Sequence, residues 1–425
     1  MRFLIVNKFL YPNGGSETYI FNLGKQLESM GHEVQYFGME HPDSCVGNNI
    51  GAYTANMDFH ADEKSVSDWQ SNTKLLRKLQ KLMLPARIIY SWEARKQIRK
   101  VLDDFKPDVV HLNNINFQIT PSIIYEVRAW EKAKADRCRI IYTAHDYQWI
   151  CPNHMLYIPG KECEQGTVCD RCEGGKYTEC IRHNCIHDSK ARSLIGAAEG
   201  YYYKWRKTYS LVDKIICPSQ FLYDKFSKNT LLRDKLIMLH NFIDTTEYPY
   251  KQKSGDYVLY FGRLAAEKGV NTLIRSMQQL ADIPFIIAGN GPLTPKVQEI
   301  SDKQDNIRYV GFKKGDELTV LIRNAAFSVY PSEWYENCPL SVMESISLGT
   351  PVLGADIGGI PELINTSTKA TGDLFIAGSD QDLMSKIRSL WDDKCRITEL
   401  SNNCTDNEFK SLFEYADDLV DICNR

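Results

Sequence analysis

Pro331-Ser332-Glu333-Trp334-Tyr335-Glu336-Asn337-Cys338-Pro339-Leu340-Ser341-Val342-Met343-Glu344 follows directly on an apolar run, Ala326-Phe327-Ser328-Val329-Tyr330. The run predicts a buried strand, the polar segment a loop carrying Glu336, and the residues from Pro339 or Leu340 a helix with Glu344 in its first turn. Strand, loop and helix start in that order make a place for a phosphorylated ligand, because the free N–H groups of the first turn and the positive end of the helix dipole face the loop. Carboxylates repel phosphate. Glu336 and Glu344 therefore suit hydroxyl groups, accepting hydrogen bonds from a sugar on one side of the phosphates and a ribose on the other.

The same grammar recurs along the chain. Upstream in this half, Tyr257-Val258-Leu259-Tyr260-Phe261 leads into Gly262-Arg263, Pro284-Phe285-Ile286-Ile287-Ala288 into Gly289-Asn290-Gly291, and Ile307-Arg308-Tyr309-Val310 into Gly311; downstream comes Pro351-Val352-Leu353-Gly354. In the first half, Arg2 to Val6 is an apolar run, and Gly14-Gly15 precedes a helical spacing of Ile20, Leu23 and Leu27. Further runs end at His111-Leu112, at Ala144-His145-Asp146 and at Pro218-Ser219. Strands alternating with helical segments predict an α/β protein of doubly wound parallel sheets, with ligands gathered at the carboxyl ends of the strands. His111, His145 and Ser219 fall at such ends. The expected division is residues 1–243 as a first Rossmann-like domain, 244–405 as a second, and 406–425 as a final helix packing back on the first.

A chain of 425 residues exceeds one core, and a net charge of -3 gives no pull toward nucleic acid. The start lacks a signal-peptide pattern, and no run reaches the roughly 18–20 apolar residues of a spanning helix. The expectation is a cytoplasmic protein whose thirteen cysteines are thiols or metal ligands rather than disulfides. Residues 151–187 form a cysteine-rich insertion, with Cys169-x-x-Cys172 followed by Cys180 and Cys185, and Cys151, Cys163, His154, His183 and His187 nearby. Two close pairs of thiolates suit a structural tetrahedral zinc; reduced thiols and an iron–sulfur cluster are the alternatives. Residues 74–100 hold nine Lys or Arg against Glu93 alone, and Ser189 to Tyr209 reads as a helix mixing aromatic and basic residues. The first stretch suits either an anionic membrane surface or an ordinary solvated face over a core contact; the second suits a membrane interface or a partner groove, with core packing as the other account.

Arg263 and Lys268 stand a short loop apart, where one guanidinium and one ammonium can neutralise a diphosphate as it becomes a leaving group. Asp380-Gln381-Asp382 reads as a helix cap with a first-turn acid rather than a metal motif.

The Glu336-x7-Glu344 spacing, with Gly262-Arg263 through Lys268-Gly269 upstream and Gly349-Thr350-Pro351-Val352 downstream, resembles the retaining glycosyltransferases of family 4. Pro12-Asn13-Gly14-Gly15-Ser16-Glu17, Gly31-His32-Glu33-Val34, Gly289-Asn290-Gly291-Pro292 and Gly358-Gly359-Ile360-Pro361-Glu362 extend the resemblance over nearly the whole chain. It implies the GT-B fold, two facing Rossmann-like domains with the site in the cleft, and a chemistry that needs no catalytic metal. It also implies roles. Arg263 and Lys268 would hold the donor diphosphate, Gly15 would approach from the first domain, and Val310 and Gly311 would lie near the base. Glu336 would bind the transferred sugar, with Asn337, Cys338, Pro339 and Leu340 lining sugar and phosphates. Glu344 would bind the ribose, and His145 would sit by the reacting carbon. The insertion is similar to that of a subgroup in bacterial capsule, exopolysaccharide and O-antigen assembly, with Cys169, Cys172, Cys180 and Cys185 matching its paired cysteines. That subgroup implies a hexosyl transfer from a UDP- or GDP-sugar to a lipid-linked oligosaccharide, at the inner face of the plasma membrane. A nucleotide-sugar epimerase of the same fold and a non-catalytic assembly scaffold are the other readings.

Overall fold

Runs of apolar residues buried on both sides form parallel strands that helices cover on each face. A computed structural model of the protein describes residues 1–56, 85–134, 137–158, 160, 166–243, 255–407 and 409–424. The first six-stranded sheet holds β1 (Arg2–Val6), β2 (Glu33–Phe37), β3 (Val109–Leu112), β4 (Arg139–Thr143), β7 (Lys214–Cys217) and β8 (Leu236–Met238), in the order β2-β1-β3-β4-β7-β8. The second holds β9 (Val258–Phe261), β10 (Phe285–Ala288), β11 (Ile307–Tyr309), β12 (Phe327–Tyr330), β13 (Val352–Ala355) and β14 (Gly372–Phe375), in the order β11-β10-β9-β12-β13-β14. Both sheets are parallel throughout. A small antiparallel pair, β5 (Tyr157–Ile158) and β6 (Thr167–Val168), lies in the cysteine-rich segment.

Strand order reverses between β1 and β3 in one sheet and between β9 and β12 in the other. Crevices open at such points beyond the carboxyl ends of the strands. The Gly14-Gly15 loop and Asn113-Asn114 leave the first crevice; Gly262-Arg263 and the Pro331–Pro339 loop leave the second. Each sheet has its own core, with Leu4, Val110, Ile140 and Ile215 in one and Val258, Ile287, Val329 and Leu353 in the other.

The chain crosses between the sheets twice. After β8 it passes to β9, and near its end it returns as the helix Leu412–Asn424. That helix packs on the helix Gly15–Ser29, with Tyr415 Oη 2.8 Å from Tyr19 Oη and Leu419 and Ile422 in the apolar cluster of β1. Where the crossings meet, Ile243 N donates to Lys410 O at 3.1 Å.

Several local expectations shift. The helix after β12 is Leu340–Ser347, so Glu344 is its fifth residue and lies past the first turn. The cap before Asp380 is Ser379, whose Oγ accepts from Asp382 N at 3.2 Å, while Asp380 and Asp382 are both first-turn acids. The aromatic–basic helix is Lys190–Trp205, with a separate 3-10 turn at Thr208–Leu211. In the basic stretch, residues 74–84 lie outside the described residues. Its described guanidinium groups are paired: Arg87 with Glu93 at 2.6 Å, Arg95 with Glu126 at 2.6 Å, and Arg99 with Asp103 at 3.1 Å. Among the described residues no helix is long and apolar enough to cross a membrane.

Candidate active site

The carboxyl ends of the two sheets face each other across a cavity of about 410 Å³. Its walls bring together residues far apart in the chain: Gly15 and His145 from the first sheet, and Arg263, Lys268, Glu336, Asn337, Cys338, Pro339 and Leu340 from the second. A second cavity of about 220 Å³ adjoins it, sharing Tyr19, Asn241 and Leu340, and Glu344 lines this one. Val310 and Gly311 border neither. Val310 packs over the apolar cluster beside β9, and Gly311 O accepts from Gly289 N at 2.8 Å.

Glu336 is the most constrained carboxylate in the cleft, with 6 % of its surface exposed. Lys268 Nζ, Trp334 Nε1, Ser332 Oγ and Tyr330 Oη donate to its Oε1, at 2.6, 2.7, 3.0 and 3.3 Å. Oε2 has no side-chain donor among the described residues, so one oxygen is anchored and the other is left to accept from a ligand. Lys268 also lies over the Trp334 ring, 5.0 Å from its centroid. The loop carrying Lys268 reaches this close because Gly269 has φ of +69° and a Cβ there would lie 1.6 Å from Pro331 O. Arg263 is 65 % exposed at the rim, and its only ion-pair partner among the described residues is Glu267, at 3.8 Å. Glu344 is half-buried, and desolvation pushes its pKa up to about 7.

On the opposite wall, His145 Nε2 lies 2.8 Å from Asn113 Oδ1, which can only accept. That partner assigns the proton to Nε2 and leaves Nδ1 as an acceptor. Burial lowers the His145 pKa to about 4, so the ring is neutral at physiological pH. Tyr19 stands edge-on to it, with ring centroids 4.9 Å apart. Behind it, burial raises the Asp146 carboxyl, but His154 and the Gln148 amide outweigh this and hold it below the ordinary value. His111 does not reach the cavity: it is fully buried against Thr143 Oγ1 at 2.8 Å, and burial lowers its pKa to about 3. The glycine loop is fixed by a polar network. Asn7 Nδ2 and Ser16 Oγ donate to Glu17 Oε1 at 2.8 and 3.0 Å, and Asn114 Nδ2 donates to Ser16 Oγ at 2.8 Å.

The loop residue beside Glu336 is also an interdomain latch. Asn337 Oδ1 accepts from Ser219 Oγ at 2.8 Å and its Nδ2 donates to Ala144 O at 2.8 Å, so its amide bridges the ends of β4 and β7. A Cβ at Gly359 would lie 1.8 Å from Asn337 O, so only glycine leaves this loop its place. Tyr147 Oη donates to Tyr335 O at 3.1 Å, and Asn241 Nδ2 to Cys338 O at 3.2 Å. Cys338 itself turns its sulfur toward Met343 Sδ at 3.8 Å, and burial raises its thiol to about 12.

The cysteine expectation needs correcting. Cys151, Cys169, Cys172, Cys180 and Cys185 surround one small cavity, but among the described residues no group of three or more His, Cys, Asp or Glu is disposed to hold a metal ion. The thiols pair as neighbours instead: Cys172 with Cys151, outside the expected quartet, and Cys180 with Cys185. Cys163 lies outside the described residues. The segment buttresses the site through Lys225, whose Nζ lies 2.6 Å from Asp170, 3.0 Å from Glu173, and 4.7 Å from the centroid of the Tyr335 ring.

Asn113, Tyr19, Asn241 and Asn114 were not legible as site residues. Only the position of Asn113 and Asn114 just past β3 marks them, since polar residues at a strand's carboxyl end border the crevice.

Sequence comparison now bears on this geometry. The family described as Glycosyltransferase Family 4 matches residues 13–247, and that described as Glycosyl transferases group 1 matches residues 247–411. The chain is 25% identical over 378 residues to an uncharacterized 42.6 kDa protein in the cps region of Klebsiella pneumoniae, covering 85% of this chain and 87% of that protein. It is 28% identical over 151 residues to O-antigen chain mannosyltransferase B of Escherichia coli, covering 33% of this chain and 38% of that one. Among solved structures, Anabaena Alr3699/HepE in complex with UDP aligns over 100% of both chains with a TM-score of 0.65 at 14% identity, which speaks for the GT-B fold alone. Two parallel sheets facing across a cleft, with family matches running almost end to end, make this chain a member of glycosyltransferase family 4 built on the GT-B fold.

Proposed function

We propose that this glycosyltransferase moves a hexosyl unit from a UDP- or GDP-sugar to a lipid-linked oligosaccharide, with retention at the anomeric carbon, in surface polysaccharide assembly. The observation that carries the reading is the Lys268–Glu336 pair at 2.6 Å, set where strand order reverses and facing Gly15 and His145 across the cleft. Lys268 and Arg263 neutralise the donor diphosphate as the bond from sugar to phosphate breaks and its electron pair stays on the phosphate oxygen. Glu336 Oε2 accepts from hydroxyls of the transferred sugar. Asn337, Cys338, Pro339 and Leu340 line the sugar and phosphates, while Val310 and Gly311 flank the base. Glu344 in the adjoining cavity accepts from the ribose. His145, neutral and held by Asn113, orients the sugar beside the reacting carbon without adding charge. The chemistry asks for no metal, since the cations are supplied by the chain.

Support for the donor class comes from Alr3699/HepE, whose solved complexes hold UDP and UDP-glucose. Support for the pathway comes from the Klebsiella cps-region relative and the Escherichia coli O-antigen mannosyltransferase. The test is a thermal-shift panel of nucleotide-sugars. A true donor at about 100-fold above its Kd stabilises the native state by about 2.7 kcal/mol. Silence from every UDP- and GDP-sugar would overturn the assignment.

A further inference from the structure

The helix Lys190–Trp205 is apolar on two faces. Ser193, Gly196, Ala197, Glu199 and Tyr203 are buried. Ala191, Leu194, Ala198, Tyr201 and Trp205 are all exposed, Leu194 at 56% and Trp205 at 76%. Their spacing of three and four residues places them in one stripe about 21 Å long. An amphipathic helix on a protein surface normally turns charged residues outward along its outer face. Here the outward line is apolar and the charges flank it.

Those charges have one sign. From Ser189 to Lys207 the cations are Lys190, Arg192, Lys204, Arg206 and Lys207, all exposed, and the single acidic residue, Glu199, is buried. None of the five has a carboxylate partner among the described residues; Lys204 Nζ donates to Gly174 O at 2.9 Å, which keeps its charge uncompensated. A second exposed indole extends the patch. Trp92, 72% exposed, lies 4.7 Å from Tyr90, and Tyr90 lies 6.2 Å from Tyr202 of the helix. The cysteine-rich segment packs on the helix's inner side, where Tyr177 and Ile186 leave no room for a side chain at Gly200 and Gly196. That segment therefore holds the helix at a fixed pose.

We infer that this face is a membrane-docking surface, its occupant an anionic lipid bilayer. Indole and phenol rings settle at the level of the headgroups, leucine reaches the acyl boundary, and flanking lysines and arginines extend to lipid phosphates. A second copy of the chain fits less well, because a two-fold contact would bring the same uncompensated cations against each other. The inference deepens the proposed function by giving the lipid-linked acceptor a surface beside the first sheet. The cations of residues 85–100, mostly paired, do not supply it.

The test is sedimentation of the full-length protein with vesicles of phosphatidylcholine, with and without phosphatidylglycerol. Wild type is expected to sediment with the anionic vesicles and to be released by salt. Leu194→Ser/Trp205→Ser is expected to weaken binding roughly tenfold, and Lys204→Gln/Arg206→Gln to remove the preference for anionic lipid. All four side chains are exposed, so unchanged melting temperatures check the fold. Failure of wild type to bind either vesicle overturns the inference, as does equal binding by the apolar variant. A dimer in solution that the apolar variant dissociates would reassign the face to a second copy. No donor or acceptor is present, so this failure and failure of the nucleotide-sugar panel are separate results.

Discussion

Glu362, from the loop after β13, caps a helix of the opposite sheet: its Oε1 accepts from Phe221 N at 2.6 Å and its Oε2 from Gln220 N at 2.7 Å. His240 Nε2 lies 3.1 Å from the same Oε2. A carboxylate on free amides at a helix start is favoured by both hydrogen bonding and the dipole. Removing it takes away a contact between the two lobes without touching the walls of the cavity. Glu362→Ala is expected to lower kcat roughly tenfold, equivalent to about 1.4 kcal/mol, with little change in donor affinity. Small-angle scattering should register a more open particle. Unchanged kcat and scattering would leave Glu362 a purely local cap.

Glu336→Gln and Glu336→Ala separate binding from architecture. In alanine the half-buried Lys268 ammonium and three neutral donors lose their shared acceptor, which destabilises the loop. Glutamine keeps an acceptor in place but removes the negative charge. Both variants are expected to lose transfer by about a hundredfold or more, whereas only alanine should lower the melting temperature by several degrees. Lys268→Ala should match the loss of transfer. Near-normal turnover in Glu336→Gln and Lys268→Ala would dislodge this pair from the donor site.

Donor binding should depend on pH through Glu344. Burial holds its pKa at about 7 in the empty site, so raising the pH from 6 to 8 supplies the carboxylate that best accepts from ribose hydroxyls. Affinity for a UDP-sugar is expected to strengthen across that interval, and Glu344→Gln to flatten the dependence. Isothermal titration at both pH values reads the difference.

Glu199 makes an opposite kind of prediction, on stability. It is fully buried with Asn116 Nδ2 donating to it at 3.0 Å, and burial raises its pKa to about 8. The native state keeps a proton that the unfolded chain releases above its ordinary value, so this group costs stability as pH rises from about 4.5 to about 8, by at most about 5 kcal/mol. Glu199→Gln holds the amide hydrogen bond without the titration. Its melting temperature should gain on wild type as pH rises through this window, and a constant gap would refute the assignment.

Much of this was legible in the chain. Apolar runs ending in glycine or a polar pair marked strand ends, because a parallel strand covered on both faces is mostly apolar along its length. Gly15, His145, Arg263, Lys268 and Glu336 each lie in the stretch that follows such an end, up to the start of the next helix, and the fold gathers them in one cavity. Pairings across the cleft were not legible. That Asn337 binds Ala144 and Ser219 depends on how two independent sheets face each other, which periodicity within either sheet does not encode. The cysteine spacing misled for a related reason: Cys151, eighteen positions before Cys169 in number, meets Cys172 only after the segment folds back on itself.

The hydrogen bond from Ile243 to Lys410 joins the outgoing chain to the returning one. A lone tether would let the lobes twist, slide and splay. Two crossings joined at this point leave the lobes fewer ways to shift against each other than a single crossing would, so the facing of the two sheets is held from the back of the cleft as well as across it.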